Sequence, residues 1–245
     1  MAGIWGKIIG GAAGFALGGP IGALLGAVAG HAVDRMRASP DGGDGRAATR
    51  EIAFTIAVIA LCAKMAKADG RVTRDEIAAF RRIFHVPPEE MKNVGRVFDQ
   101  ARRDARGFEP YARQVATMFA ANPAVLEELL DALFYIANAD GVLHPAELDY
   151  LERVAGIFGF DETTYRRIRA NHEGDSKSDP YAVLGVDHDA DDETVRAAWL
   201  KLTRENHPDR LTAQGMPEDF VQIATERMAA INAAWDTIRK QRGLR

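Results

Sequence analysis

The sequence predicts an all-α chain. From Ile52 to the carboxyl terminus, apolar residues recur three and four positions apart, which is the spacing of one helix face. No segment alternates apolar and polar residues as a half-buried strand would. Helix-capping residues precede the apolar runs. These observations divide the chain into an anchor over 1–34, a linker over 35–49, a helical domain over 50–170, a linker over 171–178 and a terminal unit over 179–245.

The composition argues against a nucleic-acid-binding protein and against a protein stabilised by an internal disulfide. The net charge of −4 argues against a nucleic-acid-binding protein, because neutralising phosphates requires a basic surface. A single cysteine, Cys62, rules out an internal disulfide. Since Cys62 lies in an apolar run, we expect it to be buried as a small hydrophobic residue.

The amino-terminal segment from Ile8 to Val33 contains 26 residues and no Asp, Glu, Lys or Arg. As one helix it would span roughly 39 Å, more than the ~30 Å hydrocarbon core of a bilayer. We therefore predict a single transmembrane helix. Two alternatives stay open: a signal peptide that ends at Ala27-Val28-Ala29, and a helical hairpin that turns at Gly18-Gly19-Pro20.

Glycine recurs at every fourth position of this segment. Small residues at that spacing let two helices approach closely in lipid, which favours a homodimer through the membrane segment. The glycines are Gly6, Gly10, Gly14, Gly18, Gly22, Gly26 and Gly30, and we expect the contact at the middle five.

Basic residues flank the segment unequally. Lys7 alone precedes it, whereas Arg35, Arg37, Arg46 and Arg50 follow it. The positive-inside rule therefore places the carboxyl-terminal body in the cytoplasm.

The middle domain is predicted to contain about seven helices and an internal repeat. Lys67-Ala68-Asp69-Gly70, followed by Glu76, matches Asn138-Ala139-Asp140-Gly141, followed by Glu147. In the simpler interpretation the glycine ends one helix and the carboxylates cap the next. In the alternative, Asp69, Glu76, Asp140 and Glu147 bind calcium, magnesium or manganese.

These paired Ala-Asp-Gly motifs in an all-α setting resemble the TerB (tellurite-resistance-like) domain. The resemblance implies an α-helical interaction module with acidic sites. It does not imply an enzyme.

The terminal unit opens on Asp179-Pro180-Tyr181, and His207-Pro208-Asp209 follows 28 residues later. Pro180 suits the first turn of a short helix, and Asp191-Asp192-Glu193 opens a second one. A last helix carries Ile231, Trp235 and Ile238. Together these features resemble a J-domain, a helical hairpin with His-Pro-Asp in its connecting loop and an extra helix.

The J-domain resemblance implies a DnaK-type ATPase chaperone as partner. Cations on the second helix would meet an acidic surface of the chaperone, while the loop biases it toward ATP hydrolysis. The residues that the resemblance assigns to this contact are Arg196, Lys201, Arg204, His207, Pro208, Asp209 and Arg210. We expect no enzyme and no cofactor, apart from the divalent metal considered above.

The chain departs from the common J-domain pattern at four positions. Trp199 and Asn206 stand where Tyr is usual, and Leu200 and Glu205 stand where cations are common. The basic face is therefore thinner than usual.

The order of anchor, TerB-like domain and terminal J-domain is similar to that of membrane-anchored DnaJ-like co-chaperones. That similarity implies a bacterial inner-membrane protein with one span, a cytoplasmic body and dimerisation through the span. The alternative function is a metal-binding or stress-response scaffold built on the TerB-like domain. Clients are not predicted.

Overall fold

The computed structural model of the chain describes residues 18–29, 44–69, 73–84, 86, 88, 91–104, 107–172, 179–213 and 221–244. This part of the chain contains helices and turns but no strand, so the all-α prediction is confirmed. Its α-helices are α1 (Gly19–Ala29), α2 (Asp44–Asp69), α3 (Arg74–Phe84), α4 (Met91–Arg103), α5 (Glu109–Met118), α6 (Pro123–Ala137), α7 (Pro145–Phe158), α8 (Glu162–Ala170), α9 (Pro180–Leu184), α10 (Asp192–Glu205), α11 (Pro208–Ala213) and α12 (Val221–Arg242).

Helix α1 lies within Ile8–Val33, the segment over which the sequence predicts a single helix. It has 11 residues and begins at Gly19. Gly18 and Gly19 have φ values of 54° and 58°, a left-handed conformation that interrupts a helix, and Pro20 suits a first turn. The interruption lies where the hairpin alternative places its turn. Among the described helices, none is both long and apolar enough to cross a membrane.

The described part of the amino-terminal segment packs against α4 and α5. The side chains of Ile21 and Leu24 are buried. The Ile21 N–H donates to Gln114 Oε1 (2.9 Å), and Gln114 Nε2 donates to the carbonyl of Gly18 (3.0 Å). One amide side chain thus satisfies the backbone where α1 begins.

Helices α2 to α8 belong to the middle domain, and in the residues that the structure describes there their number agrees with the prediction of about seven. Helix α2 begins at Asp44, inside the predicted 35–49 linker. Every residue from Ile52 to Ala66 is buried, because α2 runs through the domain with α4, α5, α6 and α7 around it. Cys62 is buried as expected, and burial raises the pKa of its thiol.

Helices α9 to α12 form the terminal unit, which has a small apolar core of its own. Val195 and Leu202 of α10 face Ile231 and Ile238 of α12 in that core. Arg242, in the last turn of α12, closes the unit: its guanidinium donates to Tyr181 Oη (2.9 Å) and to the carbonyls of Ala190 (2.7 Å) and His188 (2.9 Å). These bonds tie the end of α12 to the loop before α10.

Candidate functional site

The His-Pro-Asp loop lies between α10 and α11. Helix α10 ends at Glu205, because Pro208 has no N–H to continue it and restricts the residue before it. Asn206 turns inward, where it is 1% exposed, and its Nδ2 donates to the carbonyl of Leu202 (2.8 Å). Pro208 then opens α11. The buried Asn206 occupies the position where Tyr is usual and holds the loop to α10.

The loop presents two polar side chains to solvent. The Asp209 side chain is 94% exposed and that of His207 is 55% exposed. The Asp209 N–H donates to His207 Nδ1 (3.3 Å), which sets the imidazole beside the carboxylate. This arrangement fits a contact made with a partner protein better than a catalytic pocket, since neither group is withdrawn from water.

The predicted cations of α10 lie on its exposed face. Arg196, Lys201 and Arg204 are all exposed and fall within an arc of about 140° at 100° per residue. Leu200, 43% exposed, lies among them. Arg210 is also exposed, and its Nη1 lies 3.5 Å from the carbonyl of Arg204. The basic face of α10 and the His-Pro-Asp loop therefore adjoin.

Trp199 differs from the usual Tyr and has a packing role here. Its ring stacks on Trp235 of α12, with centroids 4.9 Å apart and an interplanar angle of 7°. Its Nε1 donates to Asn232 Oδ1 (3.0 Å). The pair fastens α10 to α12 behind the basic face.

Three of the four carboxylates predicted to bind metal accept local hydrogen bonds from backbone N–H groups. The Thr73 N–H donates to Glu76 Oε2 (2.6 Å), the His144 N–H to Glu147 Oε2 (2.9 Å) and the Val142 N–H to Asp140 Oδ1 (3.0 Å). Gly141 takes the left-handed conformation that the capping interpretation expects, with φ 84°. In the part of the chain that the structure describes, no group of three or more His, Cys, Asp or Glu could hold a metal ion.

Two sets of predicted residues lie wholly or partly outside the described residues. The side chain of Asp69, one of the four carboxylates predicted to bind metal, lies outside them. Metal binding by the four carboxylates together therefore stays a prediction. Among the predicted dimer glycines, Gly10 and Gly14 lie outside, while Gly18 precedes α1 and Gly22 and Gly26 lie within it.

Sequence reasoning missed a group of charged residues where the terminal unit meets the middle domain. Glu127 and Glu128 of α6, Arg167 of α8 and Arg227 of α12 are all buried. A signal was present in α6: Glu127, Glu128 and Asp131 interrupt an apolar run that carries no Lys or Arg. Carboxylates in such a run require cations from elsewhere in the chain.

The helical hairpin with an exposed His-Pro-Asp loop defines a J-domain protein, and residues 179–242 match the family model of the DnaJ domain. Residues 55–170 match the tellurite resistance protein TerB, and residues 1–47 match the co-chaperone DjlA transmembrane domain. Co-chaperone protein DjlA of Photobacterium profundum is 31% identical, covering 99% of this chain and 100% of its own length. The chain therefore belongs to the DjlA co-chaperone family, whose members are membrane-anchored.

Other relatives carry the same description. Co-chaperone protein DjlA of Shewanella oneidensis is 33% identical, covering 88% of this chain and 89% of its own length. That of Coxiella burnetii is 27% identical, covering 98% of both chains. No solved structure matches the chain.

Proposed function

We propose that this chain recruits a DnaK-type ATPase chaperone and stimulates its ATP hydrolysis. The observation that carries the proposal is the Asp209 carboxylate, 94% exposed at the start of α11 and adjoining the basic face of α10. Family membership supports it, since DjlA proteins are named co-chaperones. The chain acts as a regulator of another protein's catalysis.

In this proposal the basic face of α10 and the His-Pro-Asp loop have different roles. Arg196, Lys201 and Arg204 attract an acidic surface of the chaperone and set the register of the encounter. Asp209 then offers its carboxylate to donors on the chaperone, and Pro208 fixes the backbone from which it projects. Because both groups are already exposed, binding needs no prior opening of the J-domain.

The first prediction tests Asp209. We expect Asp209→Asn to weaken stimulation of a DnaK-type ATPase by about tenfold or more, since a hydrogen bond to a charged group contributes about 1.5–3 kcal/mol. Steady-state ATP hydrolysis, measured against the concentration of the co-chaperone, gives the readout.

Asp189→Asn is the matched control, because Asp189 is another exposed aspartate of the terminal unit and lies away from the loop. Equal loss of stimulation in both variants, or full stimulation by Asp209→Asn, would count against the proposed contact.

We further propose that in the membrane the amino-terminal segment leaves its packing on α4 and α5, crosses the bilayer once with the body in the cytoplasm and pairs with a second copy. Supporting this are the match of residues 1–47 to a transmembrane domain, the cations that follow the segment and the glycine spacing.

The second prediction concerns this pairing. We expect Gly14→Leu to reduce crosslinking between two copies in membranes, because a bulky side chain separates the helices. Ala16→Leu, half a turn away, serves as the control and should crosslink as the native chain does. No crosslinked dimer in the native chain would overturn the pairing.

A further inference from the structure

The terminal unit is packed directly against the middle domain. Leu211 of α11 and Ala224 of α12 are both 0% exposed. They belong to the apolar cluster of α2 to α8 rather than to the small core of the terminal unit. Helix α12 contacts α6, and α9 contacts α8. The J-domain thus shares part of its packing with its neighbour.

Buried charges accompany this packing, and we call Glu127, Glu128, Arg167 and Arg227 the junction cluster. Arg227 is 4% exposed and pairs with Glu127 and with Glu128, where Nη1 and Oε1 are 3.0 Å apart. Arg167, 7% exposed, pairs with the same oxygen of Glu127, Oε1. The cluster therefore joins α12 of the J-domain to α6 and α8 of the middle domain.

Burial makes this cluster sensitive to the loss of any member. Desolvation lowers the pKa of Arg227 to about 9 and that of Arg167 to about 10. Burial, and the charge of Asp131, raise the pKa of Glu128 well above its ordinary value. Removing one partner leaves a buried charge uncompensated, whereas replacing both with apolar residues is often neutral.

A second contact lies at the end of α9. Gly185 has φ 69°, and a Cβ there would lie 2.9 Å from Cδ of Arg167. The charges of Asp131, of Glu128 and then of Glu205, the departure from a usual cation, raise the pKa of Arg167 against the larger effect of burial. Glu205 thus favours the charged Arg167 of the middle domain.

Helix α11 connects the junction to the functional loop. Pro208 and Asp209 lie in its first turn, which ends at Leu211. The Leu211 N–H donates to the carbonyl of His207 (3.1 Å). Fixing Leu211 in the neighbouring core therefore fixes the backbone of the loop.

We infer that the TerB-like domain is the support for the His-Pro-Asp loop, and that Arg227 is a positioning residue which docks the J-domain onto Glu127 and Glu128. Docking orders the loop before the chaperone binds, so the loop loses less conformational entropy on binding. The docking stands on the geometry alone, whereas its effect on the chaperone rests on the proposed function.

The first arm of the test measures docking without any chaperone. Spin labels at Glu152→Cys on α7 and Lys240→Cys on α12 report the distance between the two domains in the full chain. Cys62 is 4% exposed, which shields it from labelling. We expect one narrow distance distribution for the native junction and a broad one for Arg227→Met. A broad native distribution, or a narrow one in Arg227→Met, overturns the docking.

Two further variants separate docking from general damage to α12. Arg239→Met removes an arginine from the same helix, paired only with the exposed Asp236 in the described residues, and should leave the distribution narrow. The double variant Arg227→Met with Glu128→Met removes Arg227 and Glu128 together, while Glu127 keeps its pair with Arg167, and should restore the narrow distribution. Broadening in the double variant equal to that in Arg227→Met would refute the pairing.

The second arm measures ATP hydrolysis by a DnaK-type chaperone at increasing concentrations of each variant. We expect Arg227→Met to raise the concentration for half-maximal stimulation about threefold or more, with the plateau unchanged, because only part of its ensemble presents an ordered loop. An unchanged half-maximal concentration, or stronger stimulation, overturns the positioning role. If the native chain gives no stimulation, the proposed function fails while the distance measurement still decides the docking.

Discussion

At the scale of single residues, exposed and buried charges have different tasks in this protein. Arg196, Arg204 and Asp209 are exposed and free to meet a partner protein. Glu128 is the opposite case, a carboxyl group at 0% exposure in the middle of α6. Its environment makes it titrate far from its ordinary range, and this leaves a measurable signature in stability.

The third prediction concerns that signature. The pKa of Glu128 in the folded chain lies well above its ordinary value of 4.5, chiefly because of desolvation. The folded chain then holds more protons than the unfolded chain between those two values, so the free energy of unfolding falls as pH rises through that window. Glu128→Gln keeps an acceptor for Arg227 and removes this linkage.

Urea unfolding from about pH 5 to about pH 7 measures the effect. We expect a flatter dependence on pH for Glu128→Gln than for the native chain. The exposed Glu152 supplies the control variant Glu152→Gln, which should keep the native slope. Identical slopes in all three chains would contradict a raised pKa at Glu128.

At the scale of helices, the two Asp-Gly loops of the middle domain show what the repeated motif does. Glu76 and Glu147 each accept a hydrogen bond from the N–H three residues before them. In the first loop, the Glu76 N–H also donates to Thr73 Oγ1 (3.1 Å), which completes a capping box. The two helices that follow the repeated motif therefore begin in the same way.

The fourth prediction separates capping from metal binding. We expect Glu147→Ala to lower the free energy of unfolding by about 1 kcal/mol, the usual loss of a helix cap, both with calcium and with a chelator. The exposed Glu152 of the same helix provides the control Glu152→Ala. If calcium stabilises the native chain and this effect disappears in Glu147→Ala, the metal hypothesis is favoured instead.

The helices that could be predicted from sequence are those whose ends carry their own signals. Pro145 and Gly159 bracket α7, and Asp191 caps α10 with a bond from the Thr194 N–H (2.7 Å). The start of α1 carries the local signal Gly18-Gly19-Pro20, which the hairpin alternative used, but its packing could not be predicted because it depends on Gln114, far along the chain. The uncharged run over Ile8–Val33 indicates that the segment can be buried, but not which distant residues it packs against.

The same difference between local and distant signals applies to the candidate site. His207, Pro208 and Asp209 could be identified because the loop is a continuous motif with helices on either side. The pairing of Arg227 with Glu128 could not, since 99 residues separate the two. Glu128 in its apolar run indicates that a cation is needed, but only the fold shows that the cation is Arg227.

At the scale of the whole molecule, the three parts of the chain contribute to one proposed function. Residues 1–47 match a membrane anchor, α2 to α8 form a helical body, and the J-domain packs on that body with its loop outward. A chaperone that binds the loop would be held near the membrane. Such placement raises the local concentration of the chaperone without any new contact.

The most direct test of this account is the flotation of a DnaK-type chaperone, in the presence of ATP, with lipid vesicles that contain the full chain. Our account predicts that the chaperone floats with vesicles that carry the native chain or Asp189→Asn, and that it stays behind with vesicles that carry Asp209→Asn. Equal flotation with all three, or flotation with none, would contradict the claim that the exposed His-Pro-Asp loop recruits the chaperone to the membrane.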